Sequence, residues 1–174
     1  GMELDLDFET IATSLLQFEG VQRRFEIVRQ SDELTLIDDY GHHPVEIKTT
    51  LKTVKEVWPT KRLIVVFQPH RYSRTKFLMR DFWSAFNDAD YLFVMDIFAA
   101  GESPLDNVHA SAIVEGVREC GHKNAKYIKN LNELKKQLDC LVKPGDVLMT
   151  LGAGDVWKLG RDFLVTRFPE KTNY

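Results

Sequence analysis

Cysteine is nearly missing from this chain of 174 residues: Cys120 and Cys140 are the only two. One falls late in an expected helix and the other just before a loop, with neither CxxC spacing nor a disulfide framework around them. Reduced thiols of a cytoplasmic protein are therefore the expectation. Long hydrophobic runs are missing too. No stretch approaches the roughly 20 uninterrupted apolar residues that span a bilayer, and no basic-then-apolar signal pattern opens the chain, so no membrane partner is expected. Charge of one sign is not in excess. The 23 Lys and Arg against 26 Asp and Glu leave a net charge of -3, which gives no general pull toward nucleic acid and makes any anion site local. The chain has no GxxxxGK[ST] phosphate cradle, no G-x-S-x-G elbow and no cysteine at a strand end. Serine or cysteine acyl transfer is thereby disfavoured, and the main phosphate cradle of any nucleotide chemistry must lie elsewhere.

What the chain does have is enough apolar character, 44%, for one good core and one main domain. Gly1 ahead of Met2 reads as a residue left by tag removal, so the chain is expected to be a piece of a longer protein. Apolar residues recur at helical spacing from Phe8 to Phe18, with Gly20 as a stop. Arg24 to Arg29 and Leu34 to Asp38 read as strand, turn, strand. A helix over Val45 to Val57 follows, with Pro44 where a first turn accepts it and Trp58-Pro59 as its end. Arg62 to Phe67, Tyr91 to Ile97 and Asp146 to Leu151 are apolar runs typical of strands buried on both faces of a parallel sheet. Between them the pattern predicts helices over Lys76 to Phe86, Ala110 to Cys120 and Leu131 to Leu141, a short strand over Ala125 to Ile128, and a closing helix after Asp155. Strands and helices alternating at this length predict an α/β fold. It is a Rossmann-like, doubly wound, mostly parallel sheet with helices on both faces and an antiparallel contribution from the first strands.

Ligands in such sheets collect at the carboxyl ends of strands, which singles out four loops: Asp38 to Pro44, Gln68 to Thr75, Phe98 to Leu105 and Gly152 to Asp155. In the second, Arg71, Arg74 and His70 lie just before an expected helix start, where free N–H groups favour an anion. Arginine forks also bind planar carboxylates in a bidentate manner. The bland alternative is a pair of solvated arginines beside a capping Ser73 or Thr75. Asp39, at a strand end, is placed to accept bonds from ribose hydroxyls, or else to cap the next helix. Asp38, Asp39, His42 and His43 also allow a metal reading, disfavoured because neighbours in one loop seldom converge on one ion and no third spaced ligand appears. Gly152-Ala153-Gly154 is half a dinucleotide fingerprint with Trp157 where the third glycine belongs, so a packing turn is the stronger reading, with Asp155 as a helix cap. Trp58, Trp83 and Trp157 are expected in or against the core.

Five segments in order, Gly20-Val-Gln-Arg-Arg-Phe25, Asp38-Asp-Tyr-Gly-His-His-Pro44, Phe67-Gln-Pro-His-Arg-Tyr-Ser-Arg-Thr75, Ala100-Gly-Glu-Ser-Pro104 and Gly152-Ala-Gly-Asp155, resemble the ordered motifs of carboxy-terminal domains of the Mur ligase family. The resemblance runs from about Phe18 to Leu164, and the Gln68 to Thr75 loop points to the branch that adds L-alanine, with the tripeptide-recycling branch as the alternative. It implies residues 1–22 as the end of a central ATPase domain with its linker, and residues 23–174 as the carboxy-terminal domain. It implies an ATP-dependent ligase of peptidoglycan precursor synthesis that joins L-alanine to UDP-N-acetylmuramate through an acyl phosphate. ATP and Mg2+ would be bound mainly by the central domain, leaving this chain inactive alone. By motif position, Arg24 resembles the arginine that reaches the ATP phosphates, with Arg23 as fallback, and Asp39 the acid that holds the ribose. Tyr40, His42, His70, Arg71 and Arg74 would face the incoming alanine, the arginines anchoring its carboxylate. A non-catalytic module binding a nucleotide or acidic metabolite, and a metal-dependent hydrolase, are the competing classes.

Overall fold

The computed structural model describes residues 6–16 and 21–169. Six strands form one sheet in the order β1-β2-β6-β3-β4-β5, where β1 is Glu26–Gln30, β2 Leu34–Asp39, β3 Leu63–Phe67, β4 Tyr91–Val94, β5 Ala125–Tyr127 and β6 Asp146–Leu151. Only the β1–β2 pair is antiparallel; the other pairings are parallel. Strands β2, β3 and β6 are buried along their whole length, as their continuous apolar runs require.

Alternation along β3 shows why both faces are covered. Leu63, Val65 and Phe67 pack with Ile47, Leu51, Phe82, Phe86 and Ile113, whereas Ile64 and Val66 pack with Leu134, Leu138, Leu159 and Phe163. Helices α2 (Pro44–Val57), α3 (Tyr72–Phe77), α4 (Met79–Phe82) and α5 (Ala110–Glu119) therefore cover one face, and α6 (Leu131–Leu141) with α7 (Val156–Arg167) the other. The doubly wound, mostly parallel α/β sheet expected from the sequence is the fold observed.

The first helix, α1, spans Phe8–Leu16 and buries none of its residues; Phe18 and Gly20 lie outside the described residues. Three boundaries differ from the sequence reading. Strand β1 begins at Glu26 rather than Arg24, because Arg23 and Phe25 both take positive φ, at 60° and 48°, which no strand accommodates. Strand β4 stops at Val94, opposite the last residue of the short edge strand β5. The helix expected from Lys76 instead starts at Tyr72 and breaks at Leu78, where ψ reaches 13°. The early start is fixed from outside the helix: Glu102 accepts from the Ser73 N–H at 2.9 Å and from its hydroxyl at 2.5 Å. Tyr72 to Thr75 are consequently helix and not loop.

Because β6 inserts between β2 and β3, the carboxyl ends of these three strands lie side by side. Two backbone bonds tie the emerging loops, from Gln68 N–H to the Leu151 carbonyl at 2.9 Å and from Gly152 N–H to the Asp39 carbonyl at 3.1 Å.

Candidate functional site

The end of β2 is built around two buried carboxylates. Asp38 accepts from the Thr150 hydroxyl at 2.6 Å and from Nε of Arg23 at 2.9 Å, while Nη2 of Arg23 donates to the Gly152 carbonyl at 2.6 Å. Burial pushes the Asp38 carboxyl above the usual range, against the opposing pull of Thr150 and Arg23. Asp39 accepts from the backbone N–H of Phe25 at 2.7 Å and of Gly41 at 2.6 Å, one oxygen each. The two carboxylates thus clamp the positive-φ segment from Arg23 to Phe25 onto the strand end.

Between these clamped neighbours the Arg24 side chain makes only a long ion pair. It is 55% exposed, its nearest carboxylate is Glu46 at 3.8 Å, and its guanidinium lies 5.4 Å from the Tyr40 ring centroid. Glu46 is occupied with capping α2: it accepts from the N–H groups of His42 and His43 at 3.0 Å, and His43 Nδ1 accepts in turn from Val45 N–H. Burial raises the Glu46 carboxyl, but those two N–H bonds and the neighbouring His42 and Arg24 side chains outweigh it and hold the group below its ordinary value.

The Tyr40, His42, His70 and Phe98 rings form a file, with centroid separations of 5.3, 5.4 and 5.8 Å. Its protonation follows from the partners. His42 Nδ1 lies 3.0 Å from the Tyr40 carbonyl, which can only accept, so Nδ1 carries the proton and Nε2 keeps a free lone pair. His70 Nδ1 lies 3.1 Å from an Arg74 guanidinium nitrogen, which can only donate, so Nδ1 is the acceptor. Burial lowers both imidazole pKa values, and neighbouring Arg74 lowers both further. The result is a half-buried surface of two neutral imidazoles edged by arginine.

Arg71 stands beside this file rather than in it. It is the first-turn boundary of α3 with φ 67°, its N–H bonded to the Phe98 carbonyl at 2.8 Å and its side chain exposed. Arg71 and Arg74 line a 350 Å³ recess with Ser73, Phe77 and Leu78. The free helix N-terminus expected here is corrected by the structure: the Glu102 carboxylate already holds the Ser73 N–H, so an incoming anion meets guanidinium groups and not that amide. Ser73 is the capped residue, not the cap, and Thr75 turns its hydroxyl back to the Arg71 carbonyl at 2.8 Å.

The glycine turn after β6 is a packing device. A Cβ on Gly152, whose φ is 138°, would sit 2.6 Å from the Gln68 carbonyl oxygen, and one on Gly154 would sit 2.8 Å from the Phe98 ring. Asp155 makes no side-chain cap bond and pairs with Lys158 at 2.9 Å. Trp157 is half-buried and lies outside both core clusters, with Arg23, Lys158 and Arg161 each within 5.9 Å of its ring centroid. Asp38, Asp39, His42 and His43 each face a different partner, and among the described residues no three acidic, histidine or cysteine side chains gather around a point that would hold a metal.

These residues gather at one end of one sheet, and residues 23–154 match the family described as "Mur ligase, glutamate ligase domain". The chain belongs to the Mur ligase family. A UDP-N-acetylmuramate--L-alanine ligase from Desulforapulum autotrophicum is 49% identical over 163 residues, covering 94% of this chain and 36% of that relative. Among solved structures, the UDP-N-acetylmuramate-alanine ligase MurC of Thermotoga maritima superposes with a TM-score of 0.75 at 30% identity, over 95% of this chain and 34% of that one. A murein peptide ligase from Psychrobacter arcticus, at 18% identity and TM-score 0.71 over 90% of this chain and 32% of that one, shares the fold. The chain spans about a third of the length of the curated relatives it matches.

Within this Mur ligase domain, the structure brings Tyr40, His42, His70 and Arg74 together, sets Arg24 against Tyr40, and commits Arg23 and Asp39 to hydrogen bonds within the fold. Sequence reasoning missed Glu46, Glu102 and Thr150, which hold the site residues in place. Glu46 was legible as the acid at the third helical position after a cap. Glu102 and Thr150 are distant in sequence from what they bind, and no local pattern marks them.

Proposed function

We propose that residues 23–174 are the carboxy-terminal domain of an ATP-dependent ligase of peptidoglycan synthesis, working in the cytoplasm, that joins L-alanine to UDP-N-acetylmuramate. Residues 1–22 would be the end of its central ATPase domain and linker. The observation that carries this reading is the file of neutral His42 and His70 beside Arg74, with Arg24 next to it, on the strand ends of a chain 49% identical to a ligase of that name.

In this reading the lactyl carboxylate attacks the γ-phosphorus of ATP and ADP leaves. The alanine nitrogen then attacks the acyl carbon, and phosphate departs as the amide forms. ATP phosphates and Mg2+ would be held mainly by the central domain, whose closure brings this face over them. Arg24 would supply a mobile guanidinium to the phosphates, a role Arg23 cannot take while it bridges Asp38 and Gly152. Asp39 spends one lone pair of each oxygen on Phe25 and Gly41 and keeps acceptor capacity for a ribose hydroxyl. Arg71 and Arg74 would take the alanine carboxylate, and Tyr40, His42 and His70 would line the path of its amine. The free Nε2 of His42 is an acceptor suited to an ammonium or amine proton.

The test is ATP turnover by the full-length parent enzyme with UDP-N-acetylmuramate, comparing L-alanine with an alanyl-glutamyl-diamino-acid tripeptide. Turnover with alanine supports the reading. Turnover with tripeptide alone moves the protein to the recycling branch, and no ATP consumption with either sinks it. The isolated chain is expected to be inactive with both.

A further inference from the structure

At the other end of the sheet, where β4 and β5 begin, a cavity of 540 Å³ opens between edge strand β5 and helix α6. Its apolar lining comes from Tyr91, Phe93 and Leu141. Its charge is one-sided: Arg118, Lys123, Lys126 and Lys136 line it against the single acid Glu133, in a chain whose net charge is -3. None of those four cations forms an ion pair among the described residues. The nearest neutral contacts are few. Lys126 reaches Gln137 at 3.3 Å, and Nε of Arg118 donates to the Ala125 carbonyl at 2.9 Å.

Four cations against one acid leave the lining with a net positive charge, and an anion held among them would relieve their mutual repulsion. The volume is that of a small-molecule pocket, and an apolar lining, in which Tyr91 is half-buried and Phe93 only 3% exposed, mixed with charged donors suits a ligand with a flat apolar part and a polyanionic part. Lysine ammonium groups and an arginine fork are phosphate donors. A peptide adding as a further strand is disfavoured, because the outward Ala125 carbonyl that such a strand would need is already held by Arg118.

We infer that the groove between β5 and α6 binds a nucleoside phosphate, its ring system against Tyr91 and Leu141 and its phosphates among Arg118, Lys123, Lys126 and Lys136. This site is separate from the Arg24 and Asp39 face and does not depend on the ligase reading.

Cys140 supplies the probe: it lines the cavity and is exposed and free, while Cys120 is exposed and free outside it. The rate of alkylation of each thiol in the purified chain is measured with ADP, with inorganic pyrophosphate at the same ionic strength, and with neither. At ADP concentrations near ten times half-saturation, Cys140 should react about tenfold more slowly and Cys120 at its original rate. The double substitution Lys123→Ser with Lys136→Ser should abolish the protection without changing the circular dichroism spectrum, and Arg24→Ala should leave it intact. Absence of ADP protection, equal protection by pyrophosphate, or loss of protection in Arg24→Ala each overturns the proposal.

Discussion

Nε of Arg23 lies 2.9 Å from Oδ2 of Asp38, a carboxylate whose side chain is only 3% exposed, and the same guanidinium holds the Gly152 carbonyl. Its sequence neighbour Arg24 is 55% exposed, with only the distant Glu46 carboxylate, at 3.8 Å, and the Tyr40 ring beside it. The two adjacent arginines should therefore fail in opposite ways. Arg23→Ala leaves the buried Asp38 carboxylate with Thr150 as its remaining side-chain partner and the Gly152 carbonyl without its donor, and should cost about 2–4 kcal/mol of stability in urea unfolding. Arg24→Ala should change stability by less than about 0.5 kcal/mol. In the role proposed for it above, its loss from the full-length enzyme should lower kcat/KM for ATP by roughly 10–100-fold, as expected for one charge-assisted bond to phosphate. Equal loss of stability in both variants would remove the distinction.

That distinction marks where sequence reading stops. The buried strands were legible because a sheet covered on both faces needs unbroken apolar runs, and Leu63 to Phe67 has one. Arg23 and Arg24 have the same side chain in the same motif, and only the positive φ of Arg23, with Asp38 and Gly152 arriving from β2 and the far end of the chain, separates a structural arginine from a free one. The helix start at Tyr72 was missed for the same reason. Its determinant, Glu102, comes from a loop after the next strand, so the local sequence from Gln68 to Thr75 reads as loop.

Glu102 gives a second prediction. Glu102→Gln removes the charge and one of the two oxygens that hold Ser73, so the Ser73 amide should exchange with solvent faster. The Thr75 amide, bonded to the Arg71 carbonyl at 3.1 Å, should keep more of its protection. Unchanged exchange at Ser73 would show that α3 starts at Tyr72 without help from Glu102.

Gly152→Ala tests the packing role of the turn after β6. At φ 138° and with the new Cβ 2.6 Å from a backbone oxygen, neither neighbour can yield without shifting the Gln68 loop. A loss of about 1–3 kcal/mol in chemical denaturation is expected. Gly101 also has positive φ, 86°, but nothing lies within 4 Å of its would-be Cβ. Gly101→Ala should cost less, since it carries backbone strain alone, and the reverse order would contradict the role assigned to Gly152.

The last prediction concerns pH. His42, His70 and His122 all have pKa values lowered from 6.5, first by burial, with the nearby arginines adding to the effect at His42 and His70. Below pH 6.5 the unfolded chain takes up protons that the folded chain refuses, so folding stability should fall as the pH drops from 6.5 through the depressed folded values. Carboxyls act lower on the scale, Glu46, Asp7 and Glu102 in one direction and Asp38 in the other. Glu46, held below 4.5, adds further loss as its folded value is passed, whereas Asp38, raised above 3.8, returns some stability as it protonates. Denaturant midpoints measured between pH 7.5 and 5.5 isolate the histidines. The wild-type chain should become progressively less stable across that window, and His42→Gln with His70→Gln should flatten the decline while leaving the part contributed by His122. An undiminished slope in the double variant would mean that the two imidazoles are not held neutral at the strand ends, and the lone pair assigned to His42 Nε2 would have to be given up.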